Sequence, residues 1–255
     1  MLREDTVFGP IHSRRLGNSL GINLLPTKGK ICNFDCVYCE CGWNRDGRTD
    51  TVLPSAAQVR SALEDKLCVL MLEGTSIDSI TFSGDGEPTL NPEFPRIIDD
   101  TLRLRDAFYP EAKVSVLSNA TRVHEEAVFQ ALRKVDNPIM KIDAPSDKLA
   151  ALINNPAPGY SIARTVEALK RFEGDFILQT MFLKIKGEDR FVFDSGAPDT
   201  LQPWMDIVRT LKPRLVQVYS IDRPTPAENL VKYSVEEMQE LVRPLLQEGF
   251  NIQFR

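Results

Sequence analysis

The sequence predicts an α/β fold built on a parallel sheet, and three observations carry that expectation. Short apolar runs alternate with helical stretches in six consecutive units. Such alternation sets parallel strands side by side under a cover of helices. The polar motifs follow the apolar runs directly, at the carboxyl ends of the strands, where doubly wound sheets and barrels alike carry their working groups. The chain has 255 residues, 42% of them apolar, enough for one large domain with a full core. A doubly wound sheet and a partial or complete barrel give the same string of elements.

The first strand is Ser19 to Leu25, closed by Pro26, with residues 1–18 as an N-terminal extension. Ser55 opens a helix with Gln58 in capping-box register and Val59, Leu63 and Leu67 on one face. Cys68, inside that helix beside Leu67 and Val69, is expected as a buried core thiol. Ile77 to Phe82 is the second strand, and Asn91-Pro92 reads as the cap and first-turn proline of the next helix. Val114 to Leu117 is the third strand, with a helix from Val123 to Arg133. Ile139 to Ile142 is the fourth. A helix from Ser161 to Phe172 places Ile162, Val166, Leu169 and Phe172 at helical spacing. Phe176 to Leu183 is the fifth strand. Lys184 to Thr200 lacks an apolar pattern and is rich in Gly, Asp and Pro, so it reads as a loop, either a lid or a plain surface insertion. Leu201 to Leu211 is helical and Leu215 to Tyr219 is the sixth strand. Ser234 and Glu237 form a second capping box, opening a helix that stops near Gly249, and Asn251 to Phe254 is a short last strand. The whole reads as a single domain, with residues 19–220 as its core and 221–255 as a C-terminal helix and strand.

The net charge is −5, which weighs against a chain built mainly to grip nucleic acid. Residues 1–18 carry Arg3, Arg14 and Arg15 but no long apolar run. Neither a signal peptide nor a membrane span is indicated, so no membrane partner and a cytoplasmic location are expected. With only two histidines, His12 and His124, and no Gly-x-Ser-x-Gly elbow, a serine hydrolase is disfavoured. His124 is expected at the surface, and His12 reads as a surface residue or a substrate contact.

Four of the five cysteines fall within ten residues. In a reducing compartment such clustering reads as metal ligation or catalysis rather than a disulfide framework. Cys32, Cys36 and Cys39 stand at C-x3-C-x2-C spacing. Three thiolates can hold three irons of a four-iron cluster and leave the fourth open to chemistry. Cys41 keeps two alternatives open: a closed four-thiolate zinc site and a closed four-thiolate cluster. With only Cys41 and Cys68 spare, a second all-cysteine cluster is not expected.

Cys32-x3-Cys36-x2-Cys39, with Tyr38 before the last cysteine, resembles the radical S-adenosylmethionine (SAM) superfamily. The resemblance implies a partial (β/α)6 barrel, matching the six units, over roughly residues 19 to 220. It implies a [4Fe-4S] cluster on Cys32, Cys36 and Cys39, with the amino and carboxylate groups of SAM on the fourth iron. One-electron cleavage then gives a 5′-deoxyadenosyl radical that abstracts hydrogen from a substrate. A one-electron donor such as flavodoxin or ferredoxin is the implied partner. The runs Phe8 to Gly17 and Ser19 to Asn23 are similar to a branch labelled iron-sulfur oxidoreductase or wyosine-related.

Ser83-Gly84-Asp85-Gly86-Glu87-Pro88 follows the second strand. Its glycines permit close backbone approach, and Glu87 can accept from an ammonium group. It resembles the superfamily's Gly-Gly-Glu element, which holds the SAM amino group, with Asp85 in place of the first glycine. The role carries over to Gly86 and Glu87. A dinucleotide fingerprint fails because Thr89 occupies the third glycine position. Asn119, ending the third strand, is a candidate for the SAM ribose or carboxylate, as in relatives, or a turn residue. Lys141 and Asp143 share one face of the fourth strand. An unpaired charge there is costly, so they either pair or meet the SAM carboxylate and ribose. Of Gln179 and Thr180, adjacent and so on opposite faces, Gln179 is taken to face inward. Gln217 and Tyr219 share a face of the sixth strand, and Arg223 stands just beyond it.

The sequence leaves the substrate open among a transfer-RNA base, with Arg14, Arg15 and Arg45 to Arg48 as phosphate contacts, a glycyl-radical enzyme, a small molecule and a peptide. A binding module without turnover, stabilised by zinc or a cluster, is the alternative from another class.

Overall fold

The computed structural model describes residues 5–13, 16–46 and 50–255. Arg3, Arg14, Arg15 and Arg48 lie outside the described residues. The chain divides into two compact units, Met1–Cys32, Asn44–Ser118 and Glu125–Pro138 in one, Asn33–Trp43, Asn119–His124 and Ile139–Arg255 in the other.

The first unit carries strands β1 (Val7–Ser13), β2 (Gly17–Ile22), β3 (Ser79–Phe82) and β4 (Lys113–Ser118) in that spatial order. β2, β3 and β4 are parallel, and β1 pairs antiparallel with β2. Alternation divides their residues cleanly. Leu20, Ile22, Ile80, Phe82, Val114 and Val116 form one fully buried apolar face. The other face is small and polar. Ser19, Ser79, Thr81 and Ser115 link hydroxyl to hydroxyl at 2.7–3.1 Å, so these buried groups satisfy one another. Helices α1 (Ala56–Leu72), α2 (Phe94–Phe108) and α3 (Glu126–Leu132) belong to the same unit. The capping box of α1 forms as read, with Ser55 and Gln58 exchanging bonds.

The second unit carries β5 (Asn137–Lys141, from Ile139 on), β6 (Ile177–Met181), β9 (Leu215–Tyr219) and β11 (Ile252–Phe254), all parallel. In register across them stand Lys141, Gln179, Gln217 and Gln253. The amides make a ladder: Gln179 Nε2 donates to Gln217 Oε1 at 3.0 Å, and Gln217 Nε2 to Gln253 Oε1 at 3.1 Å. Thr180 points the other way, donating to Ile142 O and accepting from Trp204 Nε1. Helices α4 (Asp147–Ile153), α5 (Ile162–Lys170), α6 (Pro198–Leu211), α7 (Val235–Leu241) and α8 (Arg243–Gln247) complete the unit. A small antiparallel sheet of β10 (Leu230–Lys232), β7 (Leu183–Lys186) and β8 (Phe191–Asp194) sits beside them.

The six strands read from the sequence correspond to β2, β3, β4, β5, β6 and β9. Several local expectations are corrected. Residues 7–13 are not bare extension but β1; its Pro10 lies in an edge strand, between the Phe8 and Ile11 register shift, where a missing N–H is tolerated. Asn91 does not cap α2. Its Oδ1 accepts Glu93 N–H at 2.9 Å and its amide reaches Leu24 O and Pro54 O, so the helix starts later, at Phe94. The 184–200 stretch is no structureless loop, since β7, β8 and the start of α6 occupy it. The run 176–183 breaks into β6 and β7, and the last helix breaks at Val242, ahead of Pro244, which lacks the N–H to continue. Cys68 is exposed. The buried stripe of α1 runs through Ala56, Val59, Leu63, Leu67 and Leu70, and one residue past Leu67 the helix has turned about 100° away from it.

Candidate functional site

The candidate residues fall into two sets, one in each unit. Cys32, Gly86 and Glu87 lie in the first; Cys36, Tyr38, Cys39, Asn119, Lys141, Asp143 and Gln179 lie in the second.

In the first unit the chain leaving β3 folds back on Ile31. Ile31 N donates to Asp85 O and Glu87 N donates to Ile31 O, both at 3.1 Å, clasping Gly86 between them. Gly86 has φ +136, and a Cβ there would lie 1.9 Å from Ile31 O. Only glycine fits this backbone. Asp85 is buried and tied to Asn23, whose Oδ1 accepts Asp85 N–H at 3.1 Å. A Cβ on Gly84 would strike that same Oδ1, at 2.0 Å. Glu87 is 2% exposed. Its Oε1 accepts from Thr89 N at 3.1 Å, Thr89 Oγ1 at 2.5 Å and Ser118 Oγ at 2.8 Å. These donors fix the Glu87 carboxyl group at the ends of β3 and β4. Cys32 ends the first segment of this unit, its carbonyl accepting Asn44 Nδ2 at 3.2 Å.

In the second unit the cysteine loop is fixed by backbone bonds. Asp35 N donates to Asn154 O and Val37 N to Ile153 O, both at the end of α4. Cys39 N closes a turn on Cys36 O at 3.1 Å. Tyr38 is buried and its hydroxyl donates to Asp143 Oδ2. Asn154 Nδ2 lies 2.7 Å from that Oδ2, 3.2 Å from Tyr38 Oη and 3.4 Å from Cys36 Sγ. Asp143 Oδ1 accepts Met181 N–H at 2.8 Å and faces Lys141 Nζ at 3.6 Å. Lys141 also donates to Tyr219 Oη and lies over the rings of Tyr38 and Tyr219, at 5.1 and 4.8 Å. The predicted Lys141–Asp143 pair therefore forms, inside an aromatic surround.

The electrostatics follow from that burial. The Cys36 thiol is pushed up to about 11, by burial first and the Asp143 charge second. Tyr38 is raised for the same two reasons. Burial opposes the charge of Lys141, yet Asp143 and Tyr219 outweigh it and hold the ammonium protonated.

Asn119 sits in a separate knot, donating to Asn33 Oδ1 and accepting from Thr121 Oγ1, both at 2.7 Å. Asn33 and Thr121 line a cavity of about 200 Å³ with Arg122, His124, Tyr160 and Arg164, which is where exposed His124 is found. His12 is exposed, as expected. Arg223 pairs with Glu40 at 2.7 Å, and Arg45 with Asp46 at 3.6 Å. Sequence reading missed Asn154. The signal was present in Ser146, which caps α4 by accepting Leu149 N–H, and in Asn154-Asn155-Pro156, a helix stop.

Cys32, Cys36, Cys39 and Cys41 are half-buried. Among the described residues no three His, Cys, Asp or Glu side chains are already drawn together as a metal site. The fit to an iron–sulfur cluster rests on donor chemistry: soft thiols at C-x3-C-x2-C spacing on an irregular loop, with an amide N–H aimed at one sulfur.

Fold and donor set together describe a mostly parallel α/β protein whose cysteine loop suits a soft metal centre. The chain belongs to the radical SAM superfamily, whose family model matches residues 27–190. Among curated relatives, a UPF0026 protein of Helicobacter pylori strain J99 is 31% identical over 225 residues, covering 86% of this chain and 67% of that protein. A protein named GTPase Obg from Brachyspira hyodysenteriae is 29% identical over 242 residues, 93% of this chain. This chain spans only 33% of that relative's length. A radical SAM methyltransferase from Sphaerobacter thermophilus superposes with TM-score 0.68 at 16% identity, covering 93% of this chain and 65% of that one. The SAM-bound structure named anSMEcpe superposes with TM-score 0.60 at 15% identity, over 93% of this chain and 63% of that one. These likenesses show the fold, α/β with radical SAM partial barrels as structural neighbours. The cofactors of the family are a [4Fe-4S] cluster and SAM.

Proposed function

We propose that this protein is an enzyme that holds a [4Fe-4S] cluster through Cys32, Cys36 and Cys39 and cleaves SAM reductively to abstract hydrogen from a substrate. The observation that carries this reading is the C-x3-C-x2-C loop within the family-matched segment. When bound, the cluster and SAM supply one electron and a 5′-deoxyadenosyl radical.

The chain's own residues prepare that chemistry. Glu87, whose Oε1 accepts from three donors, takes the SAM ammonium. Gly86 lets the backbone approach the methionine moiety without a side chain between them. Lys141 has three N–H bonds, of which Tyr219 and Asp143 use two; the third is directed to the SAM carboxylate. Tyr38 and Asp143 fix that lysine from beneath. Asn119 and Gln179 orient the nucleoside part. A one-electron donor of flavodoxin or ferredoxin type completes the system. Among the described residues no helix is long and apolar enough to cross a membrane.

Anaerobic reconstitution tests the reading. The wild-type chain should take up about four irons and, with dithionite, turn SAM into methionine and 5′-deoxyadenosine. Cys36→Ala should lose both the brown colour and SAM cleavage. A colourless wild-type protein holding one zinc per chain would favour the binding module instead.

A further inference from the structure

A helix ends with carbonyls that have no partner inside it. In α4 the loop that carries Cys36 supplies those partners. Val37 N–H donates to Ile153 O at 3.0 Å, and Asp35 N–H donates to Asn154 O at 2.9 Å and Asn155 O at 3.2 Å. The amides on either side of Cys36 are thus pinned to one helix end. Asn155 then turns the chain away at φ +40, a left-handed conformation that asparagine tolerates. Asn154, 3% exposed, extends its side chain toward the same cysteine. Its amide carries two N–H bonds. Asp143 Oδ2, at 2.7 Å, engages one, and Cys36 Sγ at 3.4 Å and Tyr38 Oη at 3.2 Å share the other. Asp143 is itself anchored on Met181 N–H, so the amide cannot swing away without breaking a buried network.

We propose that Asn154 is a positioning residue that sets the reduction potential of the centre ligated by Cys36. The inference rests on the cluster assignment above and goes beyond it by naming a residue that touches neither SAM nor iron. One electron passes from a low-potential one-electron donor protein to the centre, and no bond forms or breaks. The added negative charge spreads onto the ligating sulfurs. An N–H donated to Cys36 Sγ stabilises that charge and raises the potential.

The test is an EPR-monitored redox titration of the reconstituted full chain, comparing wild type with Asn154→Leu, Asn154→Ala and Asn154→Gln. The leucine and alanine variants, lacking a donor, should show roughly tenfold less reduced centre at a fixed potential, a shift of about −59 mV for one electron. The glutamine variant, which keeps an amide N–H, should lie closer to wild type. Leucine or alanine variants with full iron and an unchanged potential would overturn the inference and leave the cluster assignment standing. Absence of iron from the wild type would instead overturn the assignment. Should neither donor-free variant load iron, wild-type protein labelled with 15N at asparagine side chains decides. A nitrogen coupling at the reduced centre is then expected, and its absence overturns the proposal.

Discussion

The two units hold their candidate residues by opposite means. In the first, Gly86 and Glu87 sit in one contiguous turn, and two of the three donors to Glu87 come from Thr89, two residues on. Thr89 and Ser118 donate to its Oε1, and backbone bonds to Ile31 hold the turn. In the second, the local pair of Lys141 and Asp143 is held by partners from far along the chain. Tyr38 reaches Asp143 across 105 positions, Asn154 reaches Cys36 across 118, and Lys141 reaches Tyr219 across 78. An ion pair, the buried phenol of Tyr38 and the half-buried phenol of Tyr219 belong to this network. A turn that carries its own partners tolerates changes elsewhere. A network closed only by the fold makes each member depend on all the others.

That contrast can be broken by substitution. The largest effect on folding is expected from Lys141→Met, which strands Asp143, whose side chain has no exposed surface, without its cation. Removing one partner of a buried pair costs roughly 3–5 kcal/mol, to be read as a fall in urea midpoint. Asp143→Asn in the same background should recover part of that loss; no recovery would mean the two charges are not coupled. Next comes Gly86→Ala. Its Cβ would meet Ile31 O, so the turn must open, at a cost of about 2–3 kcal/mol in the same assay. A midpoint unchanged by that alanine would show that the clasp on Ile31 is dispensable.

A third expectation concerns pH in metal-free protein. Burial, then Asp143, raises the folded-state pKa of Cys36 from an ordinary 9.0 to about 11. The thiol therefore stays protonated at neutral pH. The stability it contributes is complete below pH 9 and is lost as pH climbs toward 11. In a variant retaining only Cys36, the iodoacetamide rate should keep rising up to about pH 11. A plateau near pH 9 would contradict the buried setting. The smallest effect belongs to Cys68→Ala, within about 0.5 kcal/mol because that thiol faces solvent. Leu67→Ala, one position back on the buried stripe, should cost roughly 2–5 kcal/mol.

The same division governs what could be read before folding. β9 occupies Leu215–Tyr219 as predicted, and the capping box of Ser55 and Gln58 formed, because periodicity and caps are written in neighbouring residues. The Ser83–Pro88 turn was legible for the same reason. Strand alternation and the cost of a lone buried charge left pairing of Lys141 with Asp143 as one of two readings, and the pair forms. The end of α4 was marked by its Ser146 cap and Asn-Pro stop, but the role of Asn154 was not, since its partners Cys36 and Tyr38 come from distant parts of the chain. β7 and β8 pair with each other but were passed over because charged residues and Gly187 interrupt their short apolar runs, and β10, the other neighbour of β7, lies more than thirty residues on. Cys68 was misplaced because its apolar neighbours in sequence stand a third of a turn away on the helix.

The central claim is that three thiolates leave one iron open for SAM. EPR of anaerobically reconstituted, dithionite-reduced protein with and without SAM tests it most directly. The account predicts the signal of a reduced four-iron cluster whose shape changes when SAM is added. A signal that SAM leaves untouched, or no iron–sulfur signal at all, would contradict it.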